Sequence, residues 1–214
     1  MKLRLTYSKT GLVRFISHRD LMMIFFRSFR RAGLPVSFSR GFNPHPRVEF
    51  CPPLPVGMEG MKEIMEVRLS RPVKAERVIT SLNEVLPEGI KITSARLLDD
   101  ENPTLGKTIE GAEYSVHLRA DTGLTRGKVE QFLSSSEVWL ERKKEKSVKR
   151  VEVRRGVSAL EYREAESGAG EHIITVSLKS NSRPDEVLAA MIGRKPEELK
   201  GLRWRRLRFC GRDL

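Results

Sequence analysis

Polar and apolar residues alternate along residues 2–7, Lys-Leu-Arg-Leu-Thr-Tyr, which puts Leu3, Leu5 and Tyr7 on one face of a strand. Gly11 punctuates the chain, and the period then changes. Leu21, Ile24, Phe25, Phe29 and Ala32 recur at helical spacing and predict an amphipathic helix over 17–32. Ser17 is its cap, and Asp20 three residues on completes a Ser-x-x-Asp capping box. Arg27, Arg30 and Arg31 suit the negative end of the helix dipole, and Gly33 is the stop. Residues 34–38 read as a short strand, 47–51 alternate again after a proline-rich loop, and 64–69 form a further strand. A second helix spans 73–86 with Val78, Ile79, Leu82 and Val85 inward, closed by Pro87 and Gly89 and followed by a strand at 90–97. Strand, helix, two or three strands, helix, strand is the order of a ferredoxin-like α+β sandwich.

Residues 99–111 are polar and contain Pro103 and Gly106, the composition of a linker. The same rhythm then repeats. A strand at 114–120 precedes a helix at 125–135 with Val129, Phe132 and Leu133 inward. A hairpin pairs 138–144 with 148–153, and a strand follows at 173–178. The last helix, 183–192, takes Ser182 as cap, Pro184 at an early position and Asp185 as a capping-box acid, and a strand at 203–210 closes the chain. The expected architecture is two tandem ferredoxin-like α/β sandwiches with antiparallel sheets, 1–99 and 112–214, joined by a 100–111 linker. Their sheets would join or pack to leave a basic cleft between the halves.

Charge sharpens this picture. The 214 residues carry a formal net charge of +12 and a pI of about 10.0, a balance that draws a protein toward polyanions, and RNA is the partner expected. A hydrophobic content of 39% with 32% charged residues suits a soluble globular chain. No run approaches the ~20 apolar residues that span a bilayer. The N-terminus has no apolar h-region either, so the expectation is a cytoplasmic protein without membrane contact. Cys51 and Cys210 are expected to be reduced thiols, and no Cys/His spacing announces a metal or cofactor.

Residues 39–57 hold the densest candidate chemistry. Pro44, Pro46, Pro52, Pro53 and Pro55 stiffen a loop that presents Arg40, Phe42, Asn43, His45 and Arg47. The cations and amide suit phosphate or a base edge, and Phe42 suits stacking on a base. The plainer reading is a structural loop in which Phe42 plugs the core and Asn43 caps a turn. A second constellation, Arg14, Ser17, His18 and Arg19, surrounds the start of the first helix, where N–H groups and the dipole favour anions. Its plainer reading is a cap with solvated cations. His18 and His45, if they met, would form a general acid–base pair on RNA. Two basic runs remain: 142–155, either a phosphate-tracking hairpin or a lysine-protected edge, and 203–208, in which Trp204 reads as core rather than as a stacking platform. His18-Arg19-Asp20-Leu21 imitates the start of a kinase catalytic loop, but Phe25 stands where that loop needs Asn.

Phe15-Ile-Ser-His-Arg-Asp-Leu21, Arg30-Arg-Ala-Gly-Leu-Pro-Val36, Ser39-Arg-Gly-Phe-Asn-Pro-His-Pro46 and Pro53-Leu-Pro-Val-Gly57 resemble the radical-SAM-linked protein family of unassigned function. Its members stand alone or are fused to the C-terminus of a cobalamin-type radical SAM protein. The resemblance covers the first ~60 residues and implies an accessory role beside a radical SAM partner, in RNA modification or a ribosome-linked setting, without supplying an activity. The second half departs from that family at Val151-Glu-Val-Arg-Arg-Gly156. At the level of fold rhythm alone, the chain is also similar to CRISPR repeat endonucleases and pseudouridine synthases, but the synthases' catalytic Asp motif is missing. Three functions therefore stand open. The first and favoured one is an RNA-binding accessory protein without catalysis of its own. The others are an RNA-processing enzyme using His18 and His45, and a protein–protein docking module for a radical SAM partner.

Overall fold

The N-terminal alternation becomes β1 (Lys2–Lys9) in the computed structural model, which describes residues 1–99, 103–144, 147–164, 171–199, 201–212 and 214. A 3-10 turn (Gly11–Phe15) leads to α1 (His18–Arg31), then β2 (Val48–Phe50), β3 (Glu59–Arg68), α2 (Ala75–Asn83) and β4 (Ile90–Leu98). The sheet runs β4-β1-β3 with β2 on the outer side of β3, and these neighbours are antiparallel. These elements make one unit, Met1–Ile109 together with Gly211–Leu214, and Glu110–Cys210 make a second. Both mix a few helices with a mostly antiparallel sheet.

The first unit's core follows the two periods. Leu3, Leu5 and Tyr7 of β1 lie beside Met65 and Val67 of β3, and α1 covers them with Leu21, Phe25 and Phe29 while α2 adds Val78 and Leu82. Tyr7 meets Phe25 edge-on at 4.9 Å. A side chain such as Phe25, wholly removed from water, contributes about 1.5–3 kcal/mol by burial alone. Ser17 caps α1: its Oγ accepts from the Asp20 N–H at 3.1 Å and donates to Asp20 Oδ2 at 2.7 Å. At the far end of α2, the Asn83 amide donates to Ile92 O at 3.0 Å and accepts from Ile92 N–H at 2.8 Å, tying the helix end to β4.

α3 (Leu105–Thr108) belongs to the first unit and leads into β5 (Ile109–Arg119), with which the second unit begins. α4 (Arg126–Ser134), the hairpin β6 (Trp139–Lys144) and β7 (Ser147–Glu152), β8 (Val157–Glu164), β9 (Glu171–Lys179), α5 (Pro184–Ile192) and β10 (Trp204–Gly211) follow. The sheet order is β10-β5-β9-β8, and β6–β7 forms a separate ribbon. Val116, Leu118, Ile174, Val176, Leu178, Leu188 and Phe209 supply the core.

Several local expectations change. Residues 34–38 make no strand, only the isolated bridges Val36 to Leu69 and Phe38 to Pro46, because Pro35 has no N–H for a ladder. β8 was not expected; it carries Ser158, Glu161, Arg163 and Glu164, so an edge strand pairing only with β9 shows little apolar alternation. Pro184 opens α5, so its cap falls on Arg183, without a side-chain bond, and not on Ser182. Leu133 lies at the surface instead of facing inward. Leu105, within the segment expected as a linker, is fully buried, and residues 100–102 of that segment lie outside the described residues.

Candidate nucleic-acid interface

The proline-rich loop is built from its base upward. The chain leaves α1 at Gly33, whose φ of +63° suits glycine, and Leu34 N–H closes on Phe29 O at 3.1 Å. Ser37 N–H donates to Arg68 O (2.7 Å), Arg47 N–H to Ser37 O (2.8 Å), and Arg68 N–H to Arg47 O (3.0 Å). Higher up, Ser39 N–H donates to His45 O at 2.9 Å, His45 N–H donates to Ser39 Oγ at 3.1 Å, and the same Oγ meets His45 Nδ1 at 2.9 Å. These bonds close the loop like a clasp and leave residues 40–44 as a projecting tip. Arg40, Gly41, Phe42, Asn43 and Pro44 are all exposed, as is Arg47. Phe42 has a relative exposure of 106%, so it plugs no core. An apolar ring so placed costs solvation unless a ligand covers it.

Behind the clasp lies a cavity of about 320 Å³, bordered by His45 and Arg47 from the loop, Lys2 and Arg68 from the strands, and the carboxylates Glu49 and Glu66. The register explains the charges. Glu49 of β2, Glu66 of β3, Arg4 of β1 and Arg96 of β4 stand opposite one another in a row across the sheet, on the face away from α1. Arg4, buried, donates from Nε (3.1 Å) and Nη2 (2.7 Å) to Glu66 Oε1. Lys2 Nζ sits 2.6 Å from Oε2, a contact of charge rather than of hydrogen-bond geometry. Lys2, Glu49, Glu66 and Arg68 were not singled out from sequence. Their alternation marks them as facing off the core, but nothing local says that three strands bring them under the loop.

The helix-start constellation divides. Ser17 is committed to its cap. Arg14 donates from Nη1 to Gly11 O (3.2 Å), lies 3.8 Å from Glu59 Oε1, and covers the Phe15 ring at 4.5 Å. Arg19 is exposed. His18 packs edge-on against Phe50 at 5.7 Å, beside buried Lys9 and Glu63. Burial pushes its pKa below the ordinary imidazole value, and the Lys9 charge pushes the same way against an opposing pull from Glu63. Lys9 continues the inward face of β1 and anchors its ammonium on Ile16 O at 3.0 Å. The two histidines occupy different surroundings: Phe50 belongs to the face of β2 that meets α1, whereas His45 bonds Ser39 and borders the cavity on the Glu49–Glu66 side. Among the described residues, no hydrogen bond or ring contact joins His18 to His45.

Trp204 is buried, with its indole N–H unpaired in the core. Neither cysteine is in a disulfide, and burial raises the pKa of the Cys210 thiol. Among the described residues, no cluster of three His, Cys, Asp or Glu has the arrangement of a metal site, and no helix is long and apolar enough to cross a membrane.

Comparison with known proteins places the fold. The chain superposes on a chain of the crystal structure of a Cbf5-Nop10-Gar1 complex with a TM-score of 0.50 at 10% identity, covering 97% of this chain and 48% of that one. A chain of the archaeal box H/ACA sRNP Nop10-Cbf5 complex aligns at 10% identity with a TM-score of 0.47, over 99% of this chain and 49% of the other. The chain thus spans about half the length of these solved chains, and at such identity the first likeness speaks for the fold alone. None of the curated proteins compared with it matches. The family model described as "uncharacterized protein conserved in bacteria (DUF2344)" matches residues 2–200, and the chain belongs to that family.

Proposed function

We propose that the chain is an RNA-binding accessory protein that acts with a radical SAM enzyme in RNA modification or ribosome-linked processing. The observation that carries this reading is the clasped loop tip, where a fully exposed Phe42 stands between Arg40 and Asn43 with Arg47 at the base. A ring held away from the core beside cations matches the way unstacked bases are bound: stacking on the aromatic, with phosphates on arginine. Arg40, Arg47 and Arg19 hold phosphates in this reading, Phe42 stacks, Asn43 reads a base edge, and His45 keeps the clasp closed. The radical SAM partner rests on the motif resemblance. We further read both units as ferredoxin-like, 1–99 and 112–214 about a linker. The β-α-β-β-α-β order with sheet order β4-β1-β3-β2, and the matching order β10-β5-β9-β8 with a hairpin inserted, support that reading.

An electrophoretic shift with single-stranded RNA at two salt concentrations tests the function. Phe42→Ala is expected to weaken binding by about 5- to 150-fold, the range of one lost base–aromatic stack. Arg40→Ala/Arg47→Ala is expected to lower the slope of log K against log salt by about 1.4, at about 0.7 per phosphate. Unchanged affinity in both variants overturns the reading.

A docking module for the same partner is the second reading, and exposed apolar groups favour it. Leu12, Phe15 and Val56 are exposed, and a groove of about 720 Å³ lies among Phe26, Phe29, Phe38 and Pro35 with Arg27, Arg30 and Arg31 on it. Phe38→Asp abolishing complex formation while RNA binding persists would select it.

A further inference from the structure

The second unit contains a cavity that neither the loop nor the motif resemblance accounts for. It lies between the β6–β7 hairpin and the turn at 180–182 ahead of α5, with a volume of about 630 Å³. Arg142, Lys149, Arg150 and Arg183 line it. Arg142 and Lys149 stand directly opposite one another in the hairpin register, and like charges so placed destabilise an antiparallel pair unless something neutralises them.

Two of the carboxylates beside these cations are engaged by protein groups. Buried Glu186 takes Arg142 in a two-pronged pair, Nε to Oε1 and Nη2 to Oε2, both at 2.6 Å. Glu152 borders the cavity, but it accepts the backbone N–H groups of Val138 (3.0 Å), Arg154 (2.8 Å) and Arg155 (2.8 Å). Arg183 is 60% exposed, with Nη1 3.9 Å from Glu186. Arg150 lies 5.4 Å from the Trp139 ring centroid. Asp185 and Glu186 act on Arg142 and Arg183 without being lining residues, and the lining itself carries four cations against one carboxylate, Glu152. Ser180, Asn181 and Ser182 add hydroxyl and amide groups, and Ser182 is held where a side chain on Gly156 would strike its Oγ. Among the described lining residues there is no aromatic ring, so the cavity offers charge and hydrogen bonds rather than base stacking.

We propose that this cavity binds successive phosphate groups, from a single-stranded RNA backbone or from a free oligophosphate. Arg142, fixed by Glu186, is a preorganised donor on its floor, and Lys149 and Arg183 are the charges that close on the ligand. The site stands whether or not the loop of the first unit binds RNA.

The test titrates the whole chain with tripolyphosphate and, separately, with a uridine dodecamer in about 50 mM KCl, where phosphate contacts are least screened. Amide shifts of Lys149, Asn181, Ser182 and Arg183 are followed. Saturable shifts at these amides are expected, with Kd rising at least about ten-fold in Lys149→Gln/Arg183→Gln, as loss of charge-assisted bonds requires. Asn181→Asp adds an opposing charge at an exposed position without removing a packed group, and is expected to weaken binding while the fluorescence of buried Trp204 stays unchanged. Displacement of tripolyphosphate by the dodecamer identifies RNA as the source, and binding of tripolyphosphate alone identifies a free oligophosphate. No saturable shift with either probe, or an unchanged Kd in both variants, overturns the proposal. The readout is local: the amides of Lys149, Asn181, Ser182 and Arg183 report this cavity and not the loop of the first unit, so failure of the loop reading is told apart from failure of this one.

Discussion

Replacing Glu66 by Gln keeps the side chain's shape and removes its charge. Glu66 is 2% exposed and Arg4 is 4% exposed, so the variant removes a charge that stands 2.7 Å from a guanidinium held out of water. Breaking a buried pair by losing one partner costs about 3–5 kcal/mol, because the remaining charge stays desolvated. For a domain whose whole stability is about 5–15 kcal/mol this is a large fraction. It corresponds to a fall in Tm on the order of 10–20 °C. Lys2, at 11% exposure, can turn toward water and contributes less. The double change Arg4→Met/Glu66→Leu removes both charges and is expected to cost far less than the single one. Both tryptophans, Trp139 and Trp204, lie in the second unit, so their fluorescence reports the wrong half of the chain. Hydrogen exchange of β1 and β3 amides under mild denaturant reports the first. A loss below about 1 kcal/mol for Glu66→Gln, or a double variant less stable than the single, refutes the reasoning.

Two further outcomes follow from the geometry. His18 is expected to titrate below the ordinary imidazole value in an NMR pH series, and Glu63→Gln is expected to push it lower by removing the opposing pull. Because its folded pKa is depressed, its contribution to stability is complete above the unfolded value of about 6.5 and is lost as pH falls through the folded pKa; stability of the first unit that does not decline over that window speaks against it. Gly89 has φ +88°, and an added Cβ would stand 2.4 Å from Thr10 O and 2.7 Å from Val13 Cγ2, where Thr10 N–H already bonds Gly89 O at 2.8 Å. Gly89→Ala should therefore lose about 1–3 kcal/mol from backbone strain plus the clash, measured as a shift in urea midpoint, and a neutral result would refute that account.

Much of the local structure was legible in the residues because it depends on periods that a chain carries by itself. Leu3, Leu5 and Tyr7 at spacing two, and Leu21, Phe25 and Phe29 at helical spacing, define their buried faces without reference to any partner. Ser17 with Asp20 announces a helix start for the same reason, since the cap bonds only its own next turn. Pro44, Pro46, Arg40, Phe42 and Asn43 likewise announce a stiff loop with unusual side chains.

What tertiary structure decided is where long-range pairing overrules local signal. Register, not pattern, sets Glu49, Glu66, Arg4 and Arg96 in one row and brings Lys2 and Arg68 under His45, because residues far apart in sequence become neighbours only when strands β1 to β4 pair. Arg14 and His18 look equally available in the sequence. Glu59, with the adjacent Phe15, occupies the first, and Phe50, with Lys9, surrounds the second; Glu59 and Phe50 lie some thirty to fifty residues further along the chain. The cavity in the second unit is the strongest such case, since Arg142 and Lys149 meet Arg183 only after a hairpin and a helix are packed together through Glu186. Periodicity states which way a side chain faces. Which charges it then meets depends on the closure of the whole chain, and free energy from burying the core, not any local preference, holds those charges together.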